Sequence, residues 1–104
     1  MRKTAIIYVK DNERKAAQEF FCRLYSIEND YDVLYVTKEI SEVDNCDLLI
    51  IANPSMISRN EIEYYGIVSD LRDCGIKVEI AITEENAGRY IDILTKEFKK
   101  EKAS

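Results

Sequence analysis

Residues 47–75 read DLLIIANPSMISRNEIEYYGIVSDLRDCG, and their pattern decides the fold. Leu48 to Ala52 is an apolar run too short for a helix and closed by polar residues on both sides. Such a run fits a strand buried on both faces of a parallel sheet. Asn53-Pro54-Ser55-Met56-Ile57 then turns the chain. A helix follows with two overlapping start signals, Ser58 three residues before Glu61 and Asn60 three before Glu63. Each pairing lets a side-chain oxygen accept from an unpaired amide of the first turn. Tyr64, Ile67, Val68 and Leu71 recur at helical spacing as one apolar face. Gly75 supplies the left-handed residue on which helices commonly end.

The flanking segments repeat the unit. Residues 4–9, TAIIYV, form a near-continuous apolar run that predicts a central strand. Lys10-Asp11-Asn12 breaks it, and Asp11 or Asn12 can cap a helix over 13–27 that turns Ala17, Phe20, Phe21 and Leu24 inward. A second strand is expected over 31–36. Residues 37–46 hold only Ile40 and Val43 as spaced apolar positions, room for one or two helical turns in a crossover. Beyond Gly75, the apolar residues Ile76, Val78, Ile80 and Ile82 at every second position predict a half-exposed strand near the sheet edge. Thr83 can cap a last helix, with Glu84 and Glu85 in its first turn and Ala87, Tyr90, Ile91, Leu94 and Phe98 at helical spacing. Alternation of strand and helix implies an α/β domain over residues 1–104, a three-layer open parallel sheet. The most economical strand order is flavodoxin-like, 2-1-3-4.

Composition sets the bounds on function. The chain has 104 residues, 46% of them hydrophobic, enough for one core. Its formal net charge of −5 argues against unassisted nucleic-acid binding. Lys96, Lys99, Lys100 and Lys102 cluster near the C-terminus, where lysines suit a solvated helix end. The sequence has no histidine, so histidine-dependent triads and zinc sites are excluded, and no metal or cofactor is implied. Cys22, Cys46 and Cys74 show no paired spacing and read as reduced packing residues of a cytoplasmic protein. Cys46, just before a strand, is the least certain of them. Neither a signal peptide nor a membrane span is expected.

In the 2-1-3-4 order, the loops after the first and third strands meet at the topological switch point, where open parallel sheets place their sites. Lys10, Asn12, Ser55, Ser58 and Arg59 fall there. With the helix start at Ser58 to Asn60 they form a candidate anion pocket. The plainer reading is that Asn12, Ser58 and Asn60 are helix caps and that Lys10 and Arg59 are surface charges.

The segment ISRNEIEYYGIVSDLRDCGIKVEI resembles the LSRN…L…L…GV.V segment of the serine recombinase (resolvase/invertase) catalytic domain. The likeness is tight over residues 58–80 and loose over 7–94. That family opens on Tyr-x-Arg-Val-Ser, whose serine attacks the DNA phosphodiester. Here the text is Tyr8-Val9-Lys10-Asp11-Asn12. Lys10 keeps the charge without the planar guanidinium fork, and Asn12 stands where the nucleophile is expected. An amide cannot replace a hydroxyl in that attack. Where the family writes Asp-Arg-Leu-Ser-Arg-Asn, Ser55 and Met56 replace the aspartate and first arginine, while Ser58 and Arg59 remain. Gly88-Arg89 resembles the Gly-Arg that precedes the family's long dimerising helix. The resemblance therefore implies a fold retained with its chemistry lost: an inactive, regulatory or protein-interaction module linked to DNA recombination and mobile elements. It also implies a homodimer or a protein partner, with Tyr90, Ile91, Leu94 and Phe98 as a possible dimer surface.

Three other readings stand beside it. A flavodoxin-like domain could bind a small molecule or phosphate through Lys10, Asn12, Ser58 and Arg59, though without a glycine-rich phosphate loop. A receiver-type phosphoacceptor lacks its aspartate, since Asn53 stands near that place. An enzyme of another type would use Ser55 or Ser58, with no histidine as base.

Overall fold

The computed structural model describes residues 2–103, with side chains described as far as Glu97. Four strands, β1 (Thr4–Tyr8), β2 (Asp32–Thr37), β3 (Leu48–Ile51) and β4 (Lys77–Ile80), alternate with three helices, α1 (Lys15–Glu28), α2 (Glu61–Asp73) and α3 (Ala87–Ala103). The sheet runs β2-β1-β3-β4, and every pairing is parallel. This is the expected three-layer α/β architecture. The crossover between β2 and β3 holds a single 3-10 turn, Ile40–Glu42, and a second such turn, Pro54–Met56, follows β3.

Strand pleating sorts the central residues into two cores. Ala5, Ile7 and Val9 of the β1 segment and Leu48, Ile50 and Ala52 of the β3 segment face α1, around Cys22. Ile6, Leu49 and Ile51 face α2, around Leu71 and Ile76. All four residues of β3 are buried, as the apolar run predicts. Edge strand β2 leaves Leu34 at 45% and Tyr35 at 41% exposure.

Three local expectations shift. First, α1 starts two residues later than predicted, and its buried side chains are Gln18, Phe21, Cys22 and Ser26. The inward face is thus rotated by about one residue from Ala17, Phe20, Phe21 and Leu24, which, Phe21 excepted, are half-buried. The rotation is tolerated because the polar groups it buries are satisfied: Ser26 Oγ donates to the Cys22 carbonyl at 2.7 Å, and Gln18 bonds the preceding loop. Second, α2 begins at Glu61. Its N-cap is Asn60, whose Oδ1 accepts from the Glu63 amide at 3.2 Å, while Ser58 Oγ accepts from the Asn60 amide one turn earlier. Third, the side of β4 predicted to face solvent carries a half-buried glutamate. Glu79 accepts hydrogen bonds from Tyr25 Oη at 2.5 Å and from Tyr31 Oη at 2.9 Å.

Helix ends follow the sequence closely. Gly75 has φ +81°, and the Gly75 and Ile76 amides bond the Arg72 and Leu71 carbonyls, closing α2 in a Schellman motif. Before α3, Thr83 and Asn86 bond reciprocally, Thr83 N to Asn86 Oδ1 at 2.8 Å and Asn86 N to Thr83 Oγ1 at 3.3 Å. Thr83 therefore caps the turn over 84–86, and α3 itself begins later than expected, at Ala87. Arg89 forms a two-pronged pair with Glu28, and Tyr90 Oη donates to Glu28 Oε1 at 2.7 Å. Tyr90 also stacks on Phe21, with ring centroids 6.3 Å apart. These contacts hold the start of α3 against the end of α1. Among the described residues, no helix is long and apolar enough to cross a membrane.

Candidate functional site at the C-terminal edge of the central strands

Because β1 and β3 are parallel neighbours, with Ile7 level with Ile50, the loops after them leave from one edge of the sheet. The two loops are built differently.

After β1 the chain is tied down. Gln18, only 3% exposed, accepts from the Lys10 amide at 2.7 Å and donates from Nε2 to both the Lys10 carbonyl and Asn12 Oδ1. Asn12 Oδ1 also accepts from the Arg14 amide at 2.8 Å, an Asx turn that leads into α1. The Asn12 side-chain oxygen is therefore occupied by the fold itself. The Lys10 and Asn12 residues remain exposed. Toward β2, Asp11 lies 3.6 Å from both Lys15 and Lys38, beside a shallow groove lined by Thr37, Glu39 and Glu42.

After β3 the chain opens. Ser55, Ser58 and Arg59 share a cleft of about 460 Å³ with Pro54, Glu61, Tyr64 and Tyr65. Ser55 Oγ donates to Asn53 Oδ1. Arg59 is exposed, with no ion-pair partner among the described residues. The structure thus brings together three of the five predicted pocket residues. Lys10 and Asn12 sit at the same edge of the sheet without lining this cleft. Sequence reasoning missed Glu61, Tyr64 and Tyr65. Tyr64 reads as core from its spacing, yet it is half-buried, its hydroxyl pushed up in pKa by desolvation and then by Tyr65. A glutamate on the rim opposes the charge that Arg59 supplies for an anion.

Of the three cysteines expected to pack inside, Cys74 is instead exposed, because it follows the last residue of α2 at the surface; the other two are withdrawn from reaction. Cys22 is fully buried and its thiol is pushed up to about 12, first by burial and then by Glu19. Burial also raises Cys46, whose Sγ lies 3.3 Å from the Leu48 carbonyl. Tyr8 is raised by desolvation and then by Glu39.

Of the possible dimer surface on α3, Tyr90 is 1% exposed and belongs to the contact with α1, whereas Ile91 is 54% exposed. Leu94 is half-buried and Lys96 exposed. The side chains of Phe98, Lys99, Lys100 and Lys102 lie outside those described.

No family model matches the sequence, and no curated protein matches it. Among solved structures, the chain is similar to the C-terminal catalytic domain of ISC1926 TnpA, an IS607-like serine recombinase. The TM-score is 0.66 at 18% identity, over 88% of this chain and 79% of that one. The domain has a resolvase-like fold. At that identity the likeness establishes the architecture of the resolvase-like domain and leaves its chemistry to the residues at the strand ends.

Proposed function

We propose that this resolvase-like domain is a relative of the serine recombinase catalytic domain that has kept the scaffold and lost strand cleavage. In this reading it serves as a regulatory or protein-interaction module in DNA recombination, in the cytoplasm. One observation carries it: Asn12, which by the sequence resemblance stands where the family has its nucleophilic serine, has its side-chain oxygen engaged by the Arg14 amide and Gln18 in a turn. That geometry supports a structural role for Asn12. Met56, where the family has an arginine, supports the same reading, because phosphoryl transfer depends on several cations around the phosphate. The test is a search for covalent protein–DNA adducts and for nicking of supercoiled plasmid, with the wild type and Asn12→Ser. Neither protein is expected to cleave; an adduct formed by the wild type would overturn the proposal.

A second reading, a small-molecule or phosphate-binding domain, is favoured by exposed Arg59 beside a cleft that also holds Ser55 and Ser58. A thermal-shift series with inorganic phosphate and nucleotides separates the two. A saturable rise in midpoint that disappears in Arg59→Ala supports binding, and a flat response supports the interaction module.

A further inference from the structure

The outer face of α2 is built unlike a solvent-facing helix surface. Ile62 is 85% exposed and Tyr65 65% exposed, the two most open large apolar residues on this helix. Four residues after Ile62 comes Gly66, in mid-helix, where an added Cβ would meet nothing within 4 Å. Nothing inside the chain requires a glycine there, and it costs the helix about 1 kcal/mol relative to alanine. Ile62, Gly66, Ser69 and Asp73 are spaced four, three and four apart, the repeat of a helix–helix seam. They lie opposite the inward stripe of Tyr64, Ile67, Val68 and Leu71. A glycine at the centre of such a seam lets a second backbone approach closely.

Charge identifies the occupant. Glu61 opens the helix and Arg72 closes it, about 16 Å apart along the axis, and neither has an ion-pair partner among the described residues. Each suits its own helix end. On a helical projection both fall on the flank of the seam that carries Tyr65. In an antiparallel pair related by a two-fold axis, that flank meets its own copy in reverse order. Glu61 of one chain then faces Arg72 of the other, twice over, if the helices cross at Gly66. We propose that α2 pairs with α2 of a second copy in this antiparallel arrangement, with Ile62 and Tyr65 as its apolar contacts.

Glu61 and Tyr65 also line the cleft at the strand ends, so this pairing would cover part of its rim, but it does not require the cleft to bind anything. It is tested on the full chain by sedimentation equilibrium over a concentration series, with circular dichroism to confirm folding. A reversible dimer is expected. Ile62→Glu should weaken it about tenfold or more, while Gly66→Ala should raise the melting temperature yet weaken association. Arg72→Glu should weaken the dimer, and the double swap Glu61→Arg with Arg72→Glu should restore it, since only the paired register recovers both contacts. A chain that stays monomeric at about 1 mM, or a dimer indifferent to these changes but broken by Ile91→Glu on α3, would overturn the proposal.

Discussion

Helices α1 and α2 leave the two central strands at the same sheet edge, but they are held by different means. α1 is fastened through polar groups at both ends. Gln18 locks the loop before it, and Glu28 at its last turn receives Arg89 and Tyr90 from α3. α2 buries one residue fully, Leu71, relies on its Asn60 cap and Gly75 stop, and leaves Ile62 and Tyr65 in solvent. The difference teaches where change is tolerated. The β1 loop is part of the scaffold, and the β3 loop with the outer face of α2 is left open to solvent.

The sharpest way to break this contrast is Gln18→Ala. It leaves the Lys10 amide without its acceptor, while the Lys10 carbonyl keeps the Asn12 amide as donor, and is expected to cost about 2 kcal/mol, read by urea denaturation, with faster hydrogen exchange over the β1 loop. A loss under half of that would mean the loop does not depend on the glutamine.

The far end of α1 is probed by pH. The Arg89 hydrogen bond, and then the Tyr90 hydroxyl, hold the Glu28 carboxyl down from 4.5 to about 2. A carboxylate depressed in the folded state contributes stability above its unfolded pKa and loses it as pH falls through the folded one. Wild type should therefore lose more stability than Glu28→Gln between about pH 4.5 and 2. Because a third of the Glu28 side chain is exposed, the difference should be smaller than the Gln18 effect and shrink in salt. Parallel pH profiles for the two proteins would show that the clamp adds nothing.

On the α2 side the effects are smaller. Asn60→Ala removes the cap and should cost about 1 kcal/mol, with Asn60→Asp recovering it in the same denaturation experiment. Ser55→Ala, in the open β3 loop, should fall within about 0.5 kcal/mol of wild type. A larger loss there would erase the distinction between the two loops.

How much of this was legible in the sequence depends on what each residue answers to. The sheet, its order and the burial of β3 follow from short-range patterns: an apolar run, an alternation, a glycine at a helix end. The inward face of α1 does not, because Gln18 and Ser26 are polar and enter the core only when a backbone partner waits there. Glu79 escapes for the same reason. Alternation marks it as solvent-facing, and only tertiary structure places Tyr25 and Tyr31 over it. At the site, Ser55, Ser58 and Arg59 were readable because they follow a strand immediately. Tyr64 and Tyr65 were not, since helical spacing alone cannot say which ring borders a cleft. Asn12 could be read as a cap for α1, but its bond to Gln18 could not.

The glutamate on β4 has one more consequence. Tyr25 belongs to α1 and Tyr31 immediately precedes β2, so a single carboxylate on one border of the sheet is moored to the opposite half of the molecule. Peeling β4 away would strip two phenols of their acceptor at once. The outer strands should therefore open together in native-state exchange, and Glu79→Gln should loosen the β2 border as well as its own.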